Sequence, residues 1–110
     1  MDINNVVEDD KDIVSISGKI NALTAPDFEK YLKNLVESGS RKLILDFSDV
    51  EYVSSAGLRS VLIITKMLKS KRGSLILASL QLSVKEVFEI SGFTAIIPVV
   101  SSLEEARSKI

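Results

Sequence analysis

The sequence predicts an α/β domain: a small mixed, mostly parallel sheet flanked by about four helices, in the order β-β-α-β-α-β-α-β-α. Two observations carry this. Short apolar runs alternate with segments whose apolar residues recur at helical spacing, and strands that alternate with helices need crossover connections, hence parallel neighbours. Only the first two strand-like runs lie close enough for a hairpin, across the acidic turn Glu8-Asp9-Asp10-Lys11-Asp12. The chain has 110 residues, 45% of them hydrophobic, and a formal net charge of −1. These values suit one domain, residues 1–110, and argue against disorder. There is no internal repeat, low-complexity run or linker.

Residues 3–8 and 12–20 read as the hairpin strands. Ile13, Val14, Ser15, Ile16 and Ser17 alternate in the second, and Gly18 closes it. Thr24 has the character of an N-cap, with Pro26 in the first turn and Asp27 three residues after the cap. The helix it opens carries Phe28, Leu32, Leu35 and Val36 on one face and stops at Ser38-Gly39. Residues 42–47 form an almost unbroken apolar run, the mark of a strand covered on both faces. A short connection through Val50, Tyr52 and Val53 leads to a long helix over about 55–70, closed by Gly73. Residues 74–78 read as a strand. Ser83 and Glu86 form a capping-box pattern for a helix stopped by Gly92. Residues 95–100 read as a last strand, at an edge because Pro98 cannot donate to a ladder. Ser102 and Glu105 form a second capping box, for a C-terminal helix.

The residue inventory narrows the function. There is no cysteine, which excludes disulfides, thiol catalysis and cysteine-ligated metals. There is no histidine, so the usual general base and the commonest nitrogen ligand are missing. The near-neutral charge argues against nucleic-acid binding, which needs excess cations to displace counterions. No apolar stretch approaches the roughly 20 residues that span a bilayer, and the start Met1-Asp2-Ile3-Asn4-Asn5 is unlike a secretory signal. The protein reads as cytoplasmic, with no membrane or nucleic-acid partner. Asp9, Asp10 and Asp12 lack the glycine and distal glutamate of a calcium loop. Asp46, Asp49 and Glu51 read as solvated rather than as metal ligands. No phosphate-binding or dinucleotide-binding glycine motif is present. The expectation is a binding protein without metal or cofactor, not an enzyme.

The segment Asp46-Phe47-Ser48-Asp49-Val50-Glu51-Tyr52-Val53-Ser54-Ser55-Ala56-Gly57-Leu58 joins the buried strand to the start of the longest helix. Unpaired N–H groups and partial positive charge gather at such a start, and it tolerates a phosphate. Ser55 therefore has two readings. It is the N-cap, with Gly57 permitting close packing, or it is a hydroxyl open to modification. A nucleophilic serine enzyme is disfavoured, since the motif is not G-x-S-x-G and no histidine can activate the hydroxyl. At 100° per residue, Ser55, Arg59, Leu62, Lys66 and Lys69 share one stripe, opposite Leu58, Val61, Ile64 and Leu68. That stripe is a solvated face with one stray leucine, or a docking patch with an apolar anchor and a basic rim. Arg59 is a cation near a helix start, where cations are disfavoured. It is an exposed residue without a partner, or the partner of a phosphate on Ser55.

The run from Leu45 to Leu58 resembles the signature of bacterial anti-sigma factor antagonists, the STAS domain. Gly18-Lys19-Ile20-Asn21, Thr24-Ala25-Pro26, Gly73-Ser74-Leu75 and Val87-Phe88-Glu89-Ile90-Ser91-Gly92-Phe93 fit the same family, so the resemblance spans nearly the whole chain. It implies a protein that, unphosphorylated, captures an anti-sigma factor serine kinase and so frees the sigma factor. Phosphorylation of the serine opening the long helix, Ser55 here, would abolish capture, and a serine phosphatase would restore it. The residues expected to bind the partner are Ser54, Ser55, Ala56, Gly57, Asn21 and Thr24 at the matched motifs, with Arg59 and Leu62 added by the helical stripe. Two positions depart from the family pattern: Ser54 stands where an aspartate is usual, and Gly18-Lys19-Ile20-Asn21 stands for Gly-Glu-Ile-Asp. Both lower the negative charge around Ser55. The switch is expected to work by occlusion and repulsion rather than refolding, in a monomer. The alternatives are a non-switching interaction or scaffold module of the same fold, or a small nucleotide-binding module.

Overall fold

A computed structural model describes residues Met1–Ile110. The elements are β1 (Asp2–Glu8), β2 (Lys11–Ile20), α1 (Ala25–Glu37), β3 (Lys42–Val53), α2 (Ser55–Ser70), β4 (Ser74–Ala78), α3 (Leu82–Ile90), a single 3₁₀ turn (Phe93–Ala95), β5 (Val99–Val100) and α4 (Leu103–Lys109). The five strands form one sheet in the order β1-β2-β3-β4-β5. The pair β1–β2 is antiparallel, and every other neighbouring pair is parallel. This is the predicted fold class: each helical crossover forces the next strand to run in the same direction.

Side chains on a strand alternate between faces, and here both faces of β3 are covered. Leu43, Leu45 and Phe47 join the main core with Phe28, Leu32 and Val36 of α1, Val61, Ile64 and Leu68 of α2, and Val84 and Phe88 of α3. Ile44 points the other way, into a smaller cluster with Ile13, Ile76, Val100 and Ala106 beneath α4. That is why the strand reads as an unbroken apolar run. Phe47 stands between Phe28 and Phe88, with ring centroids 6.3 Å apart in each pair and interplanar angles of 61° and 60°. Such edge-to-face pairs add about 0.5–1.5 kcal/mol beyond the area they bury.

Four local expectations are corrected. The connection 48–53 is not a loop: β3 stays extended to Val53, because β2 continues to pair with it through Ser17↔Asp49, Gly18↔Val50, Lys19↔Tyr52 and Ile20↔Val53, with register shifts between. Thr24 sits at the N-cap of α1 but makes no side-chain cap bond. Its hydroxyl donates to the Lys19 carbonyl instead, at 2.7 Å. The Ser83–Glu86 capping box does not form. The helix starts one residue before Ser83, with Gln81 at the N-cap and no side-chain cap. Gln81 Nε2 reaches across to the Ser48 carbonyl at 3.0 Å, so a tertiary contact sets this entry. The last strand shrinks to Val99–Val100. Gly92 takes a left-handed conformation (φ 80°) and starts the 3₁₀ turn, which drops the fully buried Ile97 into the core. Pro98 lends its carbonyl to the Leu77 N–H at 2.9 Å, and β5 forms the expected edge.

The second capping box does form. Ser102 Oγ accepts from the Glu105 N–H at 3.1 Å. The return bond is displaced by one residue, from the Ser101 N–H to Glu105 Oε1 at 3.0 Å.

Candidate functional site

The site lies where β3 hands over to α2. Because β3 stays extended to its end, Ser54 is the last extended residue (φ −84°, ψ 173°), and its side chain accepts from the Gly57 N–H at 3.3 Å. Its own N–H donates to the Ile20 carbonyl at 2.8 Å. Ser54 therefore caps the helix, and the reading of Ser55 as the cap is corrected. An N-cap oxygen serves the N–H two or three residues on, and only Ser54 has both the extended backbone and that reach. Ser55 is the first residue of α2, exposed, and its hydroxyl has no partner within the protein. The N–H groups of Ser55 and Ala56 have no acceptor inside the helix, since it has not yet begun to repeat.

Gly57 is buried, and it has no room for a side chain. A β-carbon there would stand 2.8 Å from Ile20 Cγ2 and 2.9 Å from Val53 Cγ1. Ala56 is half-buried against the main core. Beyond it, the helical stripe is as the spacing predicts. Leu58, Val61, Ile64 and Leu68 are buried, while Arg59, Lys66 and Lys69 are exposed and Leu62 is half-exposed. No hydrogen bond or ion pair holds Arg59, Lys66 or Lys69, and α2 contains no acidic residue at all. The exposed face beyond Ser55 is thus cationic, with Leu62 in its midst.

On the other side of Ser55 lies the turn between β2 and α1. Asn21 Oδ1 accepts from the N–H groups of Leu23 (2.9 Å) and Thr24 (3.1 Å). Thr24 Oγ1 accepts from the Asn21 N–H at 2.9 Å. Asn21 and Thr24, two of the residues expected to touch a partner, thus commit the Asn21 carboxamide oxygen and the Thr24 hydroxyl to building the turn. They sit half-buried, while Ala22 and Leu23 face out. Ala22, Ala56 and Arg59 line one shallow groove between α1 and α2.

Two features escaped the sequence reading. Leu23 is 87% exposed. A lone surface leucine is ordinary in a sequence, and only the turn's geometry distinguishes this one. The second is a link between helices: Ser60 Oγ, almost fully buried, donates to Glu29 Oε1 of α1 at 3.0 Å. Its partners are 31 residues apart in the chain, and no local pattern connects them.

Of the nearby carboxylates, Asp46 serves the scaffold, while Asp49 and Glu51 are exposed. Asp46 accepts from the Ser48 N–H at 3.0 Å and from Ser15 Oγ at 3.4 Å. The structure holds no group of three or more carboxylates placed to bind a metal ion. No helix is long and apolar enough to cross a membrane.

Comparison with known proteins adds the following. The STAS domain family matches residues 3–106. BtrV of Bordetella bronchiseptica, provisionally named an anti-sigma factor antagonist, is 44% identical over 96 residues, covering 87% of this chain and 83% of that protein. The anti-sigma-B factor antagonist of Bacillus subtilis is 35% identical over 106 residues, covering 94% of this chain and 96% of its own. Among solved structures, the anti-sigma factor antagonist SpoIIAA in its unphosphorylated form superposes with a TM-score of 0.75 at 17% identity, over 98% of this chain and 96% of that one. The phosphorylated form of the Bacillus protein SpoIIAA also superposes at 0.75, at 18% identity and over 98% of each chain. At those identities the likeness to SpoIIAA is one of fold.

Proposed function

The chain belongs to the STAS domain family, and on that footing we propose that it is an anti-sigma factor antagonist switched by phosphorylation of Ser55. Unphosphorylated, it captures an anti-sigma factor that is also a serine kinase, and the sigma factor is released. The kinase transfers the γ-phosphoryl group of ATP to Ser55 Oγ. A bond forms between that oxygen and phosphorus, the bond to the bridging oxygen of ADP breaks, and the hydroxyl proton passes to a base of the kinase. A serine phosphatase hydrolyses the ester and resets the switch.

The observation that carries this reading is the division of labour between two adjacent serines. Ser54 caps the helix, so the hydroxyl of Ser55 is left exposed and without a structural task. A phosphate there adds about −1.5 to −2 charges. The uncapped N–H groups and the helix dipole accommodate it, so the domain keeps its fold. What changes is the surface presented to the partner: a bulky dianion replaces a hydroxyl. A few kcal/mol of lost contact and added repulsion lowers affinity by a few orders of magnitude, about tenfold per 1.4 kcal/mol. The superposition of the fold on both forms of SpoIIAA supports a switch without rearrangement.

The test is incubation with the purified anti-sigma factor kinases of the source bacterium, ATP and magnesium, read by mass spectrometry. The expected result is one phosphate on Ser55 in the wild type, none in Ser55→Ala, and loss of kinase binding by the modified protein. Stable binding with no modification would point instead to a non-switching interaction module. Nucleotide binding by this chain without any partner would point to a ligand-binding one.

A further inference from the structure

The helix α3 is apolar on two opposite faces. Val84 and Phe88 are buried in the main core, with Val87 half-buried against it. On the outer side Leu82 is 73% exposed and Ile90 86%, two of the three most exposed large hydrophobic residues of the chain. A helix with apolar residues all round is the kind that is covered all round. Leu82, Glu86 and Ile90 are spaced by four, so they form one ridge along the helix, with the exposed Glu86 between its apolar ends. A second exposed ridge, Lys85 and Glu89, runs beside it. Lys85 precedes Glu89, the weaker order for a pair four apart, and no ion pair joins them within the chain. Lys85 shares a shallow cleft with Glu105, but that carboxylate is already held by the Ser101 N–H at 3.0 Å and by Lys109 at 3.8 Å.

We propose that the outer face of α3 docks a second copy of this chain, α3 against α3, antiparallel about a two-fold axis at Glu86. The argument is self-complementarity. A two-fold axis requires one surface to match itself, residue i meeting j where j meets i. Laid antiparallel, the ridges place Leu82 of one copy beside Ile90 of the other, twice, and take both side chains out of water. The same operation brings Lys85 of one copy toward Glu89 of the other, again twice. Charges that find no partner within the chain thus find one across the axis. A parallel pair would set Lys85 by Lys85 and Glu89 by Glu89, like charges throughout. One contact opposes assembly: Glu86 meets its own copy at the axis. With nine residues in α3 and two apolar side chains from each copy, the dimer is small, weak and concentration-dependent. No residue of this face belongs to the Ser55 site, so the proposal stands apart from the switch reading, and it replaces the monomer expected from the sequence.

Sedimentation of the full chain, from micromolar concentration to about 1 mM, should show a reversible monomer–dimer equilibrium. Leu82→Ser and Ile90→Ser should each raise the dissociation constant about tenfold or more, since each change is made twice per dimer. Their thermal midpoints at micromolar concentration should match the wild type's, because both side chains stand in water in the monomer. Lys85→Glu and Glu89→Lys should each weaken the dimer. An equimolar mixture of those two variants should pair as tightly as the wild type, because only the mixed dimer has opposite charges at both contacts. Glu86→Gln should tighten the dimer about two- to fivefold by removing the repulsion at the axis. A wild type still monomeric at about 1 mM would overturn the proposal, as would a dimer indifferent to Leu82→Ser and Ile90→Ser. A mixture no tighter than its two components would rule out the antiparallel pairing. No tightening in Glu86→Gln would take Glu86 off the axis and defeat the same geometry. Loss of Ser55 phosphorylation in Leu82→Ser or Ile90→Ser would assign the face to the kinase, and the second copy would be the wrong occupant.

Discussion

Ile20 and Gly57 meet so closely that a β-carbon on residue 57 would stand 2.8 Å from Ile20 Cγ2 and 3.2 Å from the Ile20 carbonyl oxygen. This contact sets the height of α2 above the end of β2. It therefore sets where Ser55 stands relative to the turn at Asn21–Thr24. Gly57→Ala must push one of the two apart, and overpacking of this kind costs about 1–3 kcal/mol. Chemical denaturation should show that loss. The amide resonances of Ser55 and Leu23 should move together, as two sides of one joint. Unchanged stability would mean that the joint is softer than the contact implies.

The two serines should separate cleanly in stability. Ser54→Ala removes the oxygen that caps the Gly57 N–H, and loss of such a cap costs about 0.5–2 kcal/mol. Ser55→Ala removes a hydroxyl with no partner and should fall within about 0.5 kcal/mol of wild type, as exposed substitutions do. Urea midpoints of the two variants check this. If Ser55→Ala proved the more destabilising, the cap assignment would be reversed.

The same pair shows how far the sequence could be read. Apolar spacing, capping boxes and glycine stops located all four helices, and spacing located the buried face of α2, because those features need only one segment at a time. The cap was misplaced by one residue because the end of β3 depends on its pairing with β2, more than 30 residues away, and that pairing carries extended structure through to Val53. Ser83 failed as a cap for a related reason: Gln81 is tied to the Ser48 carbonyl by a contact that no local pattern encodes. At the site, the exposure of Ser55 and of the Arg59–Lys69 stripe followed from helical geometry. The bonds by which Asn21 and Thr24 build the turn, and the exposure of Leu23 beside them, required the fold.

Leu62 is half-exposed on the cationic face and belongs to neither core cluster. Leu62→Ala should therefore cost about 1 kcal/mol or less in stability. If the stripe docks the kinase, the same change should weaken capture about tenfold, or 1.4 kcal/mol. Thermal unfolding and calorimetric titration with the kinase, run on one preparation, separate the two effects. A large stability loss with normal capture would place Leu62 in the packing of the domain rather than on its working face.

Glu105 should titrate below its ordinary value of 4.5, first because the Ser101 N–H donates to it, then because the Ser101 hydroxyl does. A carboxyl with a folded pKa below its unfolded one stabilises the fold fully above the unfolded value. That contribution disappears as pH falls through the folded value. Ser101→Ala removes the hydroxyl and keeps the N–H, so the depression should shrink without vanishing. Carboxyl-detected NMR of Glu105 in both proteins checks this. Full recovery to 4.5 in Ser101→Ala would make the hydroxyl, not the backbone, the main cause.

Arg59 lies one turn after Ser55, exposed and with no acceptor in the unmodified protein. A cation so near a helix start works against the dipole, and a phosphate on Ser55 would reverse that sign. Residues four apart on a helix are neighbours, so the guanidinium can reach the phosphate oxygens. Because the pair is open to water, its strength should be that of an exposed contact, about 0.2–1 kcal/mol, or roughly 0.1–0.7 pH units on the phosphate's second ionisation. Phosphorus NMR of the phosphorylated protein should therefore give a lower second pKa in the wild type than in Arg59→Ala. The difference should narrow as salt is added, since an exposed pair is screened. Equal values in the two proteins at low salt would leave the phosphate held by the helix start alone, and Arg59 as part of the cationic docking face only.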